Sequence, residues 1–84
     1  MWFSERVNKI AVAFADRFNF QVETVIHQYY VEFICTYTKE DLISPFVISV
    51  KFHKMEINET EDEQIIQKME VTGMRLLWQA VAWR

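Results

Sequence analysis

The sequence predicts an α+β fold in the order α-β-β-β-α, with a three-stranded antiparallel sheet and both helices packed on one face. Three observations lead to this prediction. An apolar stripe of helical periodicity opens the chain, alternating β-branched and aromatic residues fill its middle, and a helix-capping signature precedes its last third. With 84 residues, one glycine and one proline, we expect a single domain over residues 1–84.

The first helix is predicted at residues 4–18. Ser4 is a candidate N-cap at its start, and Asn19 follows it as a stop signal. Its apolar residues recur at the spacing of one buried helical face: Val7, Ile10, Ala11, Phe14, Ala15 and Phe18. This is the clearest periodic pattern in the chain.

Two strands are predicted in residues 20–38. Apolar and polar residues alternate there in two phases, and the phase changes near His27 and Gln28. A helix is the competing interpretation, because five apolar or aromatic residues also have helical spacing: Val22, Ile26, Tyr29, Tyr30 and Phe33. The β-branched and aromatic composition favours strands.

A third strand is predicted after a turn at residues 39–45. Its alternation places four apolar residues on the buried side: Phe46, Ile48, Val50 and Phe52. The residues that alternate with them include Ser49, Lys51 and His53, so we expect the outer face of this strand to be exposed to solvent.

The last helix is predicted at residues 61–83. Thr60 and Glu63 have the spacing of a capping box, and the two acidic residues between them suit the first turn of a helix. Gly73 costs about 1 kcal/mol in a helix interior, so it predicts a kink or a point of close contact.

Composition and charge exclude several classes of function. The net charge is −3, and no basic patch suited to nucleic acid is visible, so we expect no direct nucleic-acid binding. Cys35 is the only cysteine, which excludes an intramolecular disulfide. Charged residues interrupt the N-terminal apolar region, which matches neither a signal peptide nor a membrane span. We therefore expect a cytoplasmic protein without membrane contact.

No catalytic residue, metal or cofactor is expected. The candidate nucleophile Cys35 shares a predicted strand face with apolar residues, where a thiol pKa is raised instead of lowered. One cysteine and two histidines, His27 and His53, lack the paired spacing of a zinc site. A single glycine cannot form a P-loop or a dinucleotide-binding fingerprint. The sequence thus predicts a protein that is not an enzyme.

The predicted order of elements resembles that of double-stranded-RNA-binding domains. In that family a lysine-rich segment opens the last helix and binds phosphates. The corresponding residues 59–63 carry the opposite charge here. The resemblance is therefore limited to the order of elements, and RNA binding through this surface is not expected.

An acidic run marks the start of the last helix, and its five carboxylates are Glu56, Glu59, Glu61, Asp62 and Glu63. Two interpretations are open. The acids can serve only as capping groups. Alternatively, they can imitate nucleic-acid phosphates and occupy a basic groove of a larger protein, as in small acidic phage proteins such as some anti-CRISPR proteins.

The last helix carries two apolar stripes. One contains Leu76, Ala80 and Trp83, and the other contains Met74, Trp78 and Val81 or Ala82. One stripe can pack on the sheet, which leaves the other for helix 1, a second copy of the chain or a foreign partner. The sequence predicts a non-enzymatic protein-binding module that modulates or inhibits a larger intracellular protein, encoded by a phage or mobile element. The alternative is a homodimeric structural subunit that associates through this helix.

Overall fold

A computed structural model describes residues 2–37 and 46–82, apart from the side chains of Leu77, Ala80, Val81 and Ala82. The elements in chain order are α1 (Phe3–Phe18), β1 (Gln21–Ile26), β2 (Tyr30–Tyr37), β3 (Phe46–His53), α2 (Lys54–Glu59) and α3 (Asp62–Ala82). The predicted α+β class and antiparallel sheet are confirmed. A short additional helix, α2, stands between the last strand and the last helix.

The three strands form an antiparallel sheet in the order β1-β2-β3. Cys35 of the middle strand lies opposite Val22 on one side and Ile48 on the other. This register aligns the buried apolar residues of β2 and β3 on one face, together with Val22 of β1. The strand interpretation of residues 20–38 is therefore confirmed, and the helical alternative is wrong.

All three helices contribute to a core on that face of the sheet. Val7, Ile10 and Phe14 of α1 are almost fully buried, as are Ile57 of α2 and Met69 of α3. The inward residues of the two longer strands complete the core: Val31, Phe33, Cys35, Ile48, Val50 and Phe52. Among the described residues no helix covers the opposite face of the sheet, where Val25, Val47 and Ser49 are exposed.

The first helix ends where the sequence predicts. Asn19 adopts the left-handed conformation, with φ 59° and ψ 37°, and its N–H donates to the Ala15 carbonyl over 3.0 Å. Asparagine tolerates this conformation better than most residues, so it is a suitable end for a helix. The predicted N-cap is displaced, because Ser4 lies inside the helix and Trp2 occupies the N-cap position.

The short helix α2 changes the start of the last helix. His53 caps α2, because its Nδ1 accepts the Met55 N–H over 3.1 Å. Thr60 ends α2 in extended backbone, and α3 then begins at Asp62. The predicted capping box is therefore replaced: the Glu63 carboxylate accepts hydrogen bonds from Arg17 instead.

Gly73 is a point of close contact between α3 and the sheet. A Cβ atom added at this residue would lie 3.0 Å from Cδ1 of Ile48. The helix continues through Gly73 to Ala82. Of the two predicted roles, close contact is the one observed. The predicted turn at residues 39–45 and Trp83 lie outside the described residues.

Candidate protein-interaction surface

An exposed apolar stripe follows the outer side of α3, formed by Val71, Met74 and Trp78. Their exposed fractions are 54%, 47% and 71%. At 100° per residue, Trp78 lies about 180° around the helix from Met69, which is fully buried. We call these three residues the outer stripe. Trp78 is on the side of the helix opposite the core, while Met74 borders the groove between α3 and α1 and Val71 lies towards β3.

The predicted division of α3 into two apolar stripes is observed for the described side chains. Leu76 packs against the core, while Met74 and Trp78 are exposed. The predicted alternative in which α1 covers the second stripe is not what the structure has. Val81 continues the spacing of the outer stripe in the sequence, but its side chain lies outside the described part of the molecule.

The acidic run is largely occupied by pairing within the chain. Glu56 accepts from Lys68 Nζ over 2.8 Å, and Asp62 accepts from Arg6 Nε over the same distance. Glu63 pairs with Arg17. Three of the five predicted carboxylates are thus neutralised by basic side chains of α1 and α3.

Arg6 binds three acceptors at the junction of α2 and α3. Besides the Asp62 carboxylate, its guanidinium donates to the carbonyl oxygens of Ile57 and Thr60. These carbonyls belong to the last turn of α2 and its C-cap, where helical partners become few, and the Ile57 carbonyl also accepts from the Thr60 N–H over 3.5 Å. Arg6 therefore fixes the geometry of the acidic junction. Its helical position alone gave no sign of this role.

The remaining two acids of the run are exposed. Glu59 ends α2, and Glu61 immediately precedes α3. Among the described residues neither has an ion-pair partner. The hydrogen bonds and charge of Arg17 lower the pKa of Glu63, so that carboxylate stays ionised as well. The run is a negative surface, but only Glu59 and Glu61 present uncompensated charge.

A polar cluster on the open face of the sheet was not identified from the sequence. At its centre, Glu32 accepts a hydrogen bond from Ser49 Oγ, and its other oxygen lies 3.1 Å from His27 Nε2. These hydrogen bonds, from Ser49 first and His27 second, lower the pKa of Glu32. The Tyr30 ring stacks on His27 and lies beneath Lys51 Nζ. Only the strand register brings these residues together.

The order of this cluster does not suit nucleophilic catalysis. A serine nucleophile needs a base that accepts its proton, with an acid on the far side of that base. Here Ser49 and His27 both contact Glu32, and the carboxylate stands between them. Because Glu32 carries a lowered pKa, it is also a weak base.

Cys35 lies in the core. Its side chain is fully buried, and burial raises the pKa of the thiol to about 11. The predicted shielding of Cys35 is confirmed. Its contacts make it a core residue of β2.

An aromatic pocket of about 250 Å³ lies between α1, the sheet and α3. It is lined by Phe14, Phe18, Phe20, Tyr37, Glu70, Gly73 and Met74. The rings of Phe14 and Phe20 stack with centroids 5.4 Å apart, and those of Phe20 and Tyr37 are 5.2 Å apart. Because the rings pack on one another, we interpret this pocket as the edge of the core.

Among residues 2–37 and 46–82, no group of His, Cys, Asp or Glu side chains is arranged to hold a metal ion. Within the same part of the chain, no helix combines the length and apolar character needed to cross a membrane. The fold and surface define a small α+β domain with an open three-stranded sheet and an exposed apolar helix face. No family model, curated protein or solved structure matches this chain.

Proposed function

We propose that this protein is a non-enzymatic protein-binding module whose binding surface is the outer stripe of α3. The observation that carries this proposal is the exposure of Trp78, 71%, on the side of the helix opposite the core. Tryptophan and methionine are enriched in protein interfaces, where a few such anchors supply most of the binding energy.

The scaffold behind the outer stripe supports this proposal. The inner side of α3 is fixed to the core by Ile65 and Met69, which are fully buried, and by the close approach of Gly73 to Ile48. A helix held in this way presents its outer side chains with little flexibility, so binding loses less conformational entropy. Residues at positions i, i+3 and i+7 are the anchors used when a helix binds in a groove or against another helix.

The role we propose is modulation or inhibition of a larger intracellular protein by occupation of one of its surfaces. Glu59 and Glu61 would add long-range attraction to a basic partner. Imitation of nucleic-acid phosphates by the whole acidic run has less support, because Glu56, Asp62 and Glu63 are already paired within the chain. The second candidate is a homodimeric subunit that associates through α3, and the charges beside the outer stripe favour it.

The test is site-specific photo-crosslinking with benzoylphenylalanine in place of Trp78, in cells that express the protein. We expect covalent adducts with a protein, either foreign or a second copy. Trp2, which is 77% exposed at the start of α1, provides the matched control position and should give none of these adducts.

A second measurement separates binding from folding. Trp78→Ala should leave the thermal unfolding of the monomer, measured at low protein concentration, unchanged, because the side chain is exposed. It should weaken binding by about 30-fold, the effect of losing an interface anchor. Trp2→Ala should change neither quantity. If residue 78 gives no adduct with any protein and Trp78→Ala leaves association intact, the proposed function is wrong.

A further inference from the structure

The outer stripe belongs to a heptad pattern along α3. Gln64 and Gln67 precede Val71, Met74 and Trp78, and successive members are three and four residues apart. This is the spacing of a and d positions in a coiled coil. On the described part of α3, the pattern begins with two polar residues and continues with three exposed apolar ones.

Charges of opposite sign lie on the two sides of this pattern. Glu63 and Glu70 precede the a positions and therefore occupy g positions, while Lys68 and Arg75 follow the d positions and occupy e positions. At 100° per residue the acids lie on one side of the outer stripe and the bases on the other. Each side of the stripe is therefore uniform in charge.

Resting on the second candidate function, the homodimeric subunit, we infer that the partner of the outer stripe is a second copy of this chain, bound with the two α3 helices parallel. In a parallel pair, each g residue faces the e residue of the following heptad in the other helix. Glu70 then faces Arg75 of the second copy, and Glu63 faces Lys68. Because such a dimer has twofold symmetry, each of these two ion pairs occurs twice in the interface.

The charges oppose the antiparallel alternative. In that arrangement e positions face e positions, and g positions face g positions. Basic residues would face basic residues on one side of the stripe, and acidic residues would face acidic residues on the other, with repulsion on both sides. The outer stripe thus fits its own copy in one orientation only.

The pair between Glu70 and Arg75 determines this preference. Glu63 and Lys68 already have partners within the chain, Arg17 and Glu56. Among the described residues, neither Glu70 nor Arg75 has an ion-pair partner in its own chain. Arg75 is exposed. Glu70 is half-buried at the groove between α1 and α3, where it lies near Arg17 and borders Met74 of the stripe.

Sedimentation equilibrium over a wide concentration range tests this inference. We expect the wild-type protein to associate reversibly to a dimer. Arg75→Glu and Glu70→Arg should each weaken the dimer roughly tenfold, because two attractive contacts become repulsive. The double variant, Glu70→Arg with Arg75→Glu, should recover the wild-type dissociation constant, since it restores opposite charges across the parallel interface. Glu23→Arg, at an exposed position of β1, is the control and should have no effect.

Three outcomes would overturn the inference. A protein that stays monomeric at all concentrations excludes self-association, although adducts of residue 78 with a foreign protein would still support the proposed function. A dimer that tolerates both single charge changes does not depend on pairing of Glu70 with Arg75, which removes the basis for the parallel arrangement. A double variant as weak as the single variants excludes the pairing of Glu70 with Arg75. Because Arg75 is exposed, Arg75→Glu remains informative even if Glu70→Arg perturbs folding.

Discussion

Arg6 and Asp62 are 56 positions apart in the chain, yet Arg6 Nε donates to Asp62 Oδ1 over 2.8 Å. The same guanidinium donates to the carbonyls of Ile57 and Thr60. One side chain of α1 therefore holds the end of α2 and the start of α3. The position of the acidic run depends on this contact.

Removal of the Arg6 guanidinium should destabilise the fold. In Arg6→Met, Asp62 loses its ion pair, and two carbonyls at a helix end lose a donor, which we expect to lower the free energy of unfolding by about 2–3 kcal/mol. Urea denaturation measures this change. Arg17→Met removes the exposed pair with Glu63 from the same helix and should have a far smaller effect. Equal losses in the two variants would contradict a special role for Arg6.

Cys35 should make stability depend on pH in the alkaline range. Its pKa is about 11 in the folded protein and near 9 when the chain unfolds. Between these values only the unfolded state loses the thiol proton, so the free energy of unfolding falls as pH rises from 9 to 11, by roughly 1.4 kcal/mol per pH unit at most. Below pH 9 the Cys35 thiol is protonated in both the folded and the unfolded state, so this part of the stability is fully present.

The Cys35→Ala variant isolates this dependence from the titration of lysines and tyrosines. The difference in stability between wild type and Cys35→Ala, measured by urea denaturation at several pH values, should shrink or reverse above pH 9. At neutral pH the substitution should cost about 1 kcal/mol through lost packing. A difference that is constant from pH 7 to 11 would show that the thiol titrates normally in the folded state.

Gly73 and Ile48 should be energetically coupled. Gly73→Ala improves helix propensity by about 1 kcal/mol but brings the new methyl group to 3.0 Å from Ile48 Cδ1. Ile48→Val removes that Cδ1 atom. In a double-mutant cycle measured by thermal unfolding, we expect the two changes together to be more favourable than their sum by about 0.5–1 kcal/mol. Ile57→Val, at another buried isoleucine, should combine additively with Gly73→Ala.

The carboxylate of Glu32 should titrate below the usual range for glutamate. Hydrogen bonds from Ser49 and His27 stabilise its ionised form. An NMR titration of the side-chain carboxyl carbon measures the pKa directly. Ser49→Ala should raise it, and His27→Gln should raise it by less, since the Ser49 hydrogen bond is the largest cause. If neither substitution moves the pKa, the cluster does not form in solution.

Local patterns were sufficient to predict most elements of the fold. The period of apolar residues distinguished α1 from the strands, because a helix and a strand bury one face at different spacings. The end of α1 at Asn19, which adopts the left-handed conformation, was predictable from its residue type. The short helix α2 was missed because it buries a single residue, Ile57, which is too little to create a periodic signal.

The candidate site was only partly predictable. Met74 and Trp78 were identified because helical spacing separates them from Leu76. The acidic run was identified too, but its pairing with Arg6 and Arg17 joins residues far apart in the chain. The cluster around Glu32 gave no local signal, since its members share no periodic pattern and meet only through strand register.

The sequence by itself determined the class of fold, the order of its main elements and the buried side of each strand. These properties depend on short-range sterics and on the period of apolar residues, both of which are encoded locally. Only the tertiary structure decided which side of α3 meets the core and which carboxylates are neutralised. Both depend on contacts between distant segments, where Gly73 lets α3 approach Ile48 and Arg6 reaches Asp62.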